Sequence, residues 1–399
     1  MGPRAGETDE GRLDVFDGLR GIAILLVLWS HVWQESWLAA DVRLFGQTLD
    51  FSWIPRTGFI GVDLFFFISG FCLFYPYART LFDGRPQRRL GDYAWHRARK
   101  ILPSYLVALA VLAGFTKFHS WQDALHQIAV HLTFIHPWFA DTFGTIDGVL
   151  WSLGVEVQFY VMFPLLCRAA MRRPWATFAT MCAAAIAFRI GAQMLLGPMI
   201  WLAVSQVFAV LDLFAAGMAA AYVYRAISVR RPQLAAKTAL WTLVALAGFA
   251  AVEQLSLGLY DQRELPNWIA NWYVLGRTPL ALAFFALALG SLFAARWWRA
   301  VLANPALAFL SIISYNLYLW HLPIVQYLGH QAVFPWHETL PATATDAQRF
   351  AYSLLAVGCS IALATLATYA LERPLLRLRR PRFGPPLSAS AATPSVEAT

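Results

Sequence analysis

At 399 residues, 59% of them hydrophobic and only 14% charged, the chain is too apolar for an ordinary soluble domain, in which about 25% of residues are charged. The formal net charge of +8 is carried by loops between apolar runs. There it is the ordinary companion of anionic lipid headgroups, and no nucleic-acid partner is called for. What remains is an all-α, polytopic membrane helix bundle.

Crossing about 30 Å of hydrocarbon takes roughly 20 apolar residues per helix. Ten such spans are predicted, near residues 18–38, 57–77, 101–118, 148–167, 175–195, 200–224, 238–258, 273–294, 306–329 and 351–371. Gly197 and Pro198, in "MLLGPMIWLAVSQ", are either a tight turn between two helices or a kink in one. Residues 1–11, "MGPRAGETDEG", read as a polar tail. No small-residue cleavage site follows the first span, so it is expected to be an uncleaved helix.

The first span, "FDGLRGIAILLVLWSH", carries Asp17 and Arg20 at one end and His31 at the other. The eleven residues from Arg20 to His31 make roughly 16 Å of helical rise and end only about 20° past three full turns, so the two side chains share a face. That face offers a permanent cation near one membrane surface and a titratable base deeper in. An ionisable group inside a span is costly unless it is paired or at work.

The second span, "GFIGVDLFFFISGFCLF", is broken by Asp63, Ser69 and Gly70. Asp63 lies toward the same end as His31, and spans joined by a short loop are antiparallel neighbours. His31 is therefore its expected partner, a carboxylate that would fix the imidazole tautomer and raise its basicity. The structural alternatives are an interfacial helix cap for Asp63 and close helix packing for Gly70.

"HRARKILPSY" puts Arg97, Arg99 and Lys100 at the N-terminal end of the third span. Basic side chains with free backbone N–H groups suit phosphate, although the same residues also serve membrane topology. The following loop holds His119, His126, His131 and His136. No carboxylate or cysteine at ligand spacing is read beside them, and no metal is expected. The fourth span, "WSLGVEVQFYVMFPLL", places Ser152 and Glu156 one turn apart, with Gln158 and Tyr160 nearby. In the ninth, "SIISYNLYLWHLPI", Ser311, Ser314, Asn316 and His321 interrupt an apolar run before Pro323. His321 is read equally as a cavity-lining group or a helix-bundle hydrogen bonder. Cys72, Cys167, Cys182 and Cys359 lie in or beside apolar spans and suggest neither disulfides nor a metal.

With both termini cytoplasmic, the inner segments 1–17, 78–100, 168–174, 225–237, 295–305 and 372–399 hold almost all the loop Lys and Arg. The opposite loops hold only Arg43, Arg56, Lys117, Arg263 and Arg349, the asymmetry expected of an even number of spans. The organisation is one transmembrane domain over 12–380 and a disordered cytoplasmic tail over 381–399, rich in Pro, Ser, Ala and Thr.

Taken together, "DGLRGIAILLVLWSH", "GFIGVDLFFFISGF", "RARKILPSY", "WSLGVEVQFYVMFPLL", "ISYNLYLWHLPI" and "LERPLLRLRR" resemble the successive signature stretches of membrane-bound acyltransferase family 3. These are bacterial inner-membrane enzymes that O-acylate lipopolysaccharide, exopolysaccharide, Nod factors, glucans and some macrolides. The resemblance implies an acyl-CoA co-substrate on the cytoplasmic side, commonly acetyl-CoA, and a carbohydrate or glycolipid hydroxyl as acceptor. It matches the family's basic residue, ten others, then His onto Arg20 and His31.

Two positions depart from the family pattern. The usual Arg, two residues, Arg of the third span stands here as Arg97 and Lys100, which keeps the charge and loses one bidentate fork. The usual Glu pair of the fourth span is Glu156 followed by Val157. A secreted esterase-type extension, fused to some members, is not expected.

The expected mechanism docks the CoA phosphates on Arg97, Arg99, Lys100 and Arg20. His31, oriented by Asp63 or Glu156, then takes the acceptor proton or carries the acyl group itself. Asp17, Ser69, Ser152, Tyr160 and His321 are expected around the cavity. A proton-coupled transporter or flippase is the rival reading, since intramembrane Asp, Glu and His also mark such pathways. Acceptor, acyl length and oligomeric state stay open.

Overall fold

The computed structural model describes residues 7–86, 89–330 and 344–377. Within them lie ten helical segments long and apolar enough to cross a membrane. They are α1 (Leu13–Ser36), α2 (Ile60–Asp83), α3 (Leu90–Phe115), α4 (Leu150–Arg172), α5 (Pro174–Leu196), α6 (Val207–Arg230), α7 (Thr238–Gln262), α8 (Trp268–Phe293), α9 (Pro305–Gly329) and α10 (Asp346–Leu376). The tail expected over 381–399 lies outside the described residues.

The expected spans match in number and order, and they differ at their ends where helices run on beyond the hydrocarbon-length window. α3 begins at Leu90, so Arg97, Arg99 and Lys100 lie two to three turns inside it. Free N–H groups at a helix start are thus not available beside them, because from the fifth residue onward these donors are used within the helix. Gly197 resolves as a turn: its φ of +47° suits a residue without Cβ. The chain then passes through short helical turns at Gly197–Met199 and Ile200–Ala203. α6 consequently starts at Val207 instead of near 200.

Consecutive spans alternate in direction, so α1, α3 and α9 begin at the face where α2, α6 and α10 end. This face carries the basic loops and is called here the basic face. α2 and α6 form the centre, with 78% and 83% of their apolar windows buried against 22% for α5 and α10. Glycines make their contact close. A Cβ at Gly70 would stand 2.2 Å from the Phe214 carbonyl oxygen, and one at Gly217 would stand 2.0 Å from that of Phe67. The buried apolar side chains form two clusters. One is built largely from α2, α4, α5, α6 and α8, the other from α1, α3, α9 and α10 with the start of α4.

On the face opposite the basic one, a two-stranded hairpin (Asp41–Leu44 with Gln47–Asp50) links α1 to α2. The helix Trp121–Leu132 links α3 to α4. In this loop the carboxylates that the sequence reading missed are present: Asp123 Oδ2 is 3.2 Å from His119 Nδ1, and Asp141 Oδ2 is 3.7 Å from His126 Nε2. The four-residue step from His119 to Asp123 is one helical turn, which brings the pair together. Among the described residues no group of three or more His, Cys, Asp or Glu is placed to hold a metal.

Candidate active site

A cavity of about 320 Å³ runs between α1, α2, α3, α4 and α9. Arg20, Arg97 and Lys100 line it toward the basic face, where α1 and α3 begin. Ser69, Glu156 and Tyr160 line its middle, and Val62, Ser152 and Tyr318 its far end. Seven of the twelve residues expected at the site from sequence thus share one space, drawn from four helices. Arg99 is not part of its lining. Asp17 approaches from the side, its Oδ1 accepting a 2.9 Å hydrogen bond from Ser311, which does line the cavity.

Arg97 and Lys100 are fixed differently. The Arg97 guanidinium lies 5.3 Å from the centre of the Tyr160 ring, a cation–π geometry that holds it over the cavity wall. Lys100 Nζ pairs with Glu372, and it lies 5.8 Å from the Tyr315 ring. Glu156 Oε1 accepts hydrogen bonds from Ser69 Oγ and, at 2.5 Å, from the Tyr160 hydroxyl. The carboxylate is therefore satisfied by α2 and by its own helix, and neither bond leads to His31. At the far end, the Ser152 and Tyr318 hydroxyls share a 2.6 Å hydrogen bond.

His31 is not among the residues lining the cavity. Its Nδ1 lies 3.0 Å from His321 Nε2 and 3.0 Å from the Val27 carbonyl oxygen. His321 in turn is fully buried, with Nδ1 3.0 Å from the Leu317 oxygen and 2.9 Å from the Tyr318 oxygen. Carbonyls only accept, so in the neutral pair the proton of His321 sits on Nδ1 and its Nε2 accepts from His31 Nδ1–H. The bare lone pair of His31 is then on Nε2. The Tyr318 ring, 5.8 Å from the His321 ring, connects this pair to the end of the cavity.

The expected pairing of His31 with Asp63 is overturned. Asp63 Oδ1 is 3.1 Å from Arg277 Nε, both side chains being at most 3% exposed. Helix geometry gives the reason. Gly61 is the α2 residue pressed against α1, where a Cβ would stand 2.4 Å from the Ala23 oxygen. Asp63, two residues on, is rotated about 200° away and faces α8. It does not cap α2 either, whose N-cap is Phe59 without a side-chain bond. Glu156 likewise does not orient His31; His321 occupies that position.

Sequence reading also passed over a second buried pair. Arg189 Nη1 is 2.9 Å from Asp212 Oδ2, and Thr278 Oγ1 bridges them, accepting from Arg189 Nη2 and donating to Asp212 at 2.6 Å each. Arg189, Asp212 and Arg277 are charges in apolar spans. The cost that singled out Asp63 would have found them.

Outside the spans, Asp147 is 5% exposed just before α4, with its Oδ1 3.3 Å from the Val149 N–H and its Oδ2 buried without a hydrogen-bond partner. Burial pushes its carboxyl up to about 7. His131 and His136 are fully buried nearby, their rings stacked 4.1 Å apart. Burial lowers both, and His136 falls to about 3.

An apolar ten-span bundle with a basic-mouthed cavity ending beside a histidine pair can house a membrane-embedded transferase, and sequence comparison places the chain in such a family. Residues 13–369 match the family described as "Acyltransferase domain", and the chain belongs to that acyltransferase 3 family. Curated relatives include the O-acetyltransferase OatA of Staphylococcus aureus strain NCTC 8325, 25% identical over 340 residues, covering 78% of this chain and 50% of the relative. A putative O-acetyltransferase of S. aureus strain COL is 23% identical over 336 residues, with the same coverage. The chain thus spans about half the length of the curated relatives it matches. No solved structure matches it.

Proposed function

We propose that the protein is an integral membrane O-acyltransferase that moves an acyl group, acetyl by analogy with its named relatives, from acyl-CoA to a hydroxyl of a carbohydrate acceptor at the cell surface. The observation that carries this reading is the continuity of one cavity from Arg20, Arg97 and Lys100 to Tyr318, beside the His31–His321 pair. The basic face is taken as cytoplasmic, following the distribution of Lys and Arg. The family membership favours a transferase over the transporter reading.

In this mechanism the donor phosphates bind at the basic mouth on Arg97, Lys100 and Arg20, and the thioester is carried inward past Ser69 and Glu156. His31 Nε2 takes the proton from the acceptor hydroxyl as its oxygen attacks the thioester carbon. The C–S bond breaks, and the departing thiolate takes the proton back from the imidazolium to leave as coenzyme A thiol. His321 Nε2 holds the Nδ1 proton of His31 throughout, which fixes the tautomer and stabilises the cation. The same Nε2 lone pair would attack the thioester in a two-step variant with an acyl-histidine.

The test is acetyl-CoA consumption and acceptor acylation by purified protein with His31→Ala. Loss of turnover by about 100-fold or more is expected for removal of a general base. Retained turnover at normal expression overturns the assignment. Rapid quenching with labelled acetyl-CoA separates the one-step and two-step routes by the presence of labelled protein.

A further inference from the structure

The stretch "LERPLLRLRR" contributes, behind Lys100 of the cavity mouth, a buried acid that the mechanism above does not use. Glu372 is 3% exposed and sits at the end of a π-helical turn, Thr368–Glu372, within α10. Such turns are rare and concentrate at functional sites. Asn316 Nδ2 of α9 fixes this turn with two hydrogen bonds, 2.8 Å to Glu372 Oε2 and 3.0 Å to Thr368 Oγ1. Asn316 is fully buried and Thr368 is 1% exposed. The other carboxylate oxygen of Glu372 pairs with Lys100. Lys100 therefore reaches the cavity held from behind by a carboxylate that is itself immobilised, while its side chain remains 36% exposed.

We propose that Glu372 is the positioning residue for Lys100, holding its ammonium at the cavity mouth for an anionic phosphate of the acyl donor. The inference rests on the donor reading given above. A lysine stem is flexible, and binding an anion with it ordinarily costs the freedom of four rotatable bonds. A fixed partner on one side of the ammonium removes that cost in advance and leaves the remaining N–H donors for the ligand. Protein kinases use the same device, a lysine on the nucleotide phosphates held by a helix glutamate. A compact ammonium sits between the Glu372 carboxylate and the Tyr315 ring, a place a planar five-donor fork fits less well.

The experiment is titration of coenzyme A into the full chain in lipid nanodiscs, with Lys100→Ala, Glu372→Gln, Glu372→Asp and the Lys100→Ala/Glu372→Gln double variant. Thermal unfolding of each is recorded alongside. Lys100→Ala and Glu372→Gln are each expected to weaken binding about tenfold, the scale of one charge-assisted contact. The double variant is expected to be no weaker than either single one, because both remove the same contact. Glu372→Asp keeps the charge, withdraws it by one methylene and also weakens binding. A folded Glu372 variant that binds like the wild type overturns the proposal, as does multiplication of the two single effects. Failure of the wild-type chain to bind coenzyme A overturns the donor reading itself, and this inference with it.

Discussion

His31 Nδ1 stands 3.0 Å from His321 Nε2 across 290 residues of sequence, and this contact decides which nitrogen of His31 is basic. His321 is tied to two carbonyls of its own helix and presents only an acceptor. His321→Ala should therefore lower kcat by roughly tenfold or more, less than His31→Ala, while leaving the KM for acetyl-CoA near its wild-type value. Initial rates over an acetyl-CoA series check this. An unchanged kcat would mean that His31 is oriented by Val27 alone.

The same contact makes α1 sensitive to register. One alanine inserted between Ala23 and Ile24 would turn everything beyond it by about 100° and carry His31 off the α9 face. Transfer should be abolished while Arg20 still supports coenzyme A binding. Parallel turnover and binding measurements on the membrane-inserted protein test the separation.

Asp63 and Arg277 predict a stability phenotype. Removing one partner leaves a buried uncompensated charge, a loss of roughly 3–5 kcal/mol. Asp63→Ala and Arg277→Met should each lower the unfolding midpoint in detergent, and Asp63→Asn with Arg277→Met should lower it less. A normally stable Asp63→Ala protein with a selective loss of kcat would instead return Asp63 to the chemistry.

Tyr160 separates ring from hydroxyl. Its ring carries Arg97, and its hydroxyl bonds Glu156. Tyr160→Phe should keep the KM for acetyl-CoA within about twofold, whereas Tyr160→Leu should raise it by roughly 3- to 30-fold, the range of a partly desolvated cation–π contact. Equal effects would remove Arg97 from the donor site.

The loop before α4 should give stability two opposed responses to pH. Asp147, raised by burial to about 7, keeps a proton in the fold that the unfolded chain gives up near the ordinary carboxylate value. Its contribution is full below about pH 4 and is lost as pH rises to about 7. His136, lowered to about 3, stays neutral where the unfolded chain protonates. Its contribution is full above about pH 6.5 and is lost as pH falls. Asp147→Asn should gain in unfolding midpoint relative to wild type from about pH 5 to 8, and His136→Phe should gain from about pH 7 to 5. Midpoints that move in parallel with wild type would place the titrations elsewhere.

Much of the site was legible one helix at a time. Ser69, Ser152 and Glu156 are marked as polar breaks in apolar runs, Arg20 by the helix face it shares with His31 and Tyr160 by its place one turn from Glu156, and all five line the cavity. Glu372 was not found, although it lies in a signature stretch, because it reads as one more charge at the end of a span. Tyr318 was missed because a tyrosine among aromatic and aliphatic neighbours carries no signal of its own.

By itself the sequence determined the ten spans and the place of each polar group along its helix, because partition into hydrocarbon and the rise of a helix depend only on the local chain. The tertiary structure alone decided the partners: Asp63 with Arg277, His31 with His321, and Lys100 with Glu372. A partner depends on which helix packs on which face. For Asp63 that was set by Gly61 pressed against the α1 backbone, and in all three cases the partner lies more than 200 residues away, beyond the reach of any spacing rule.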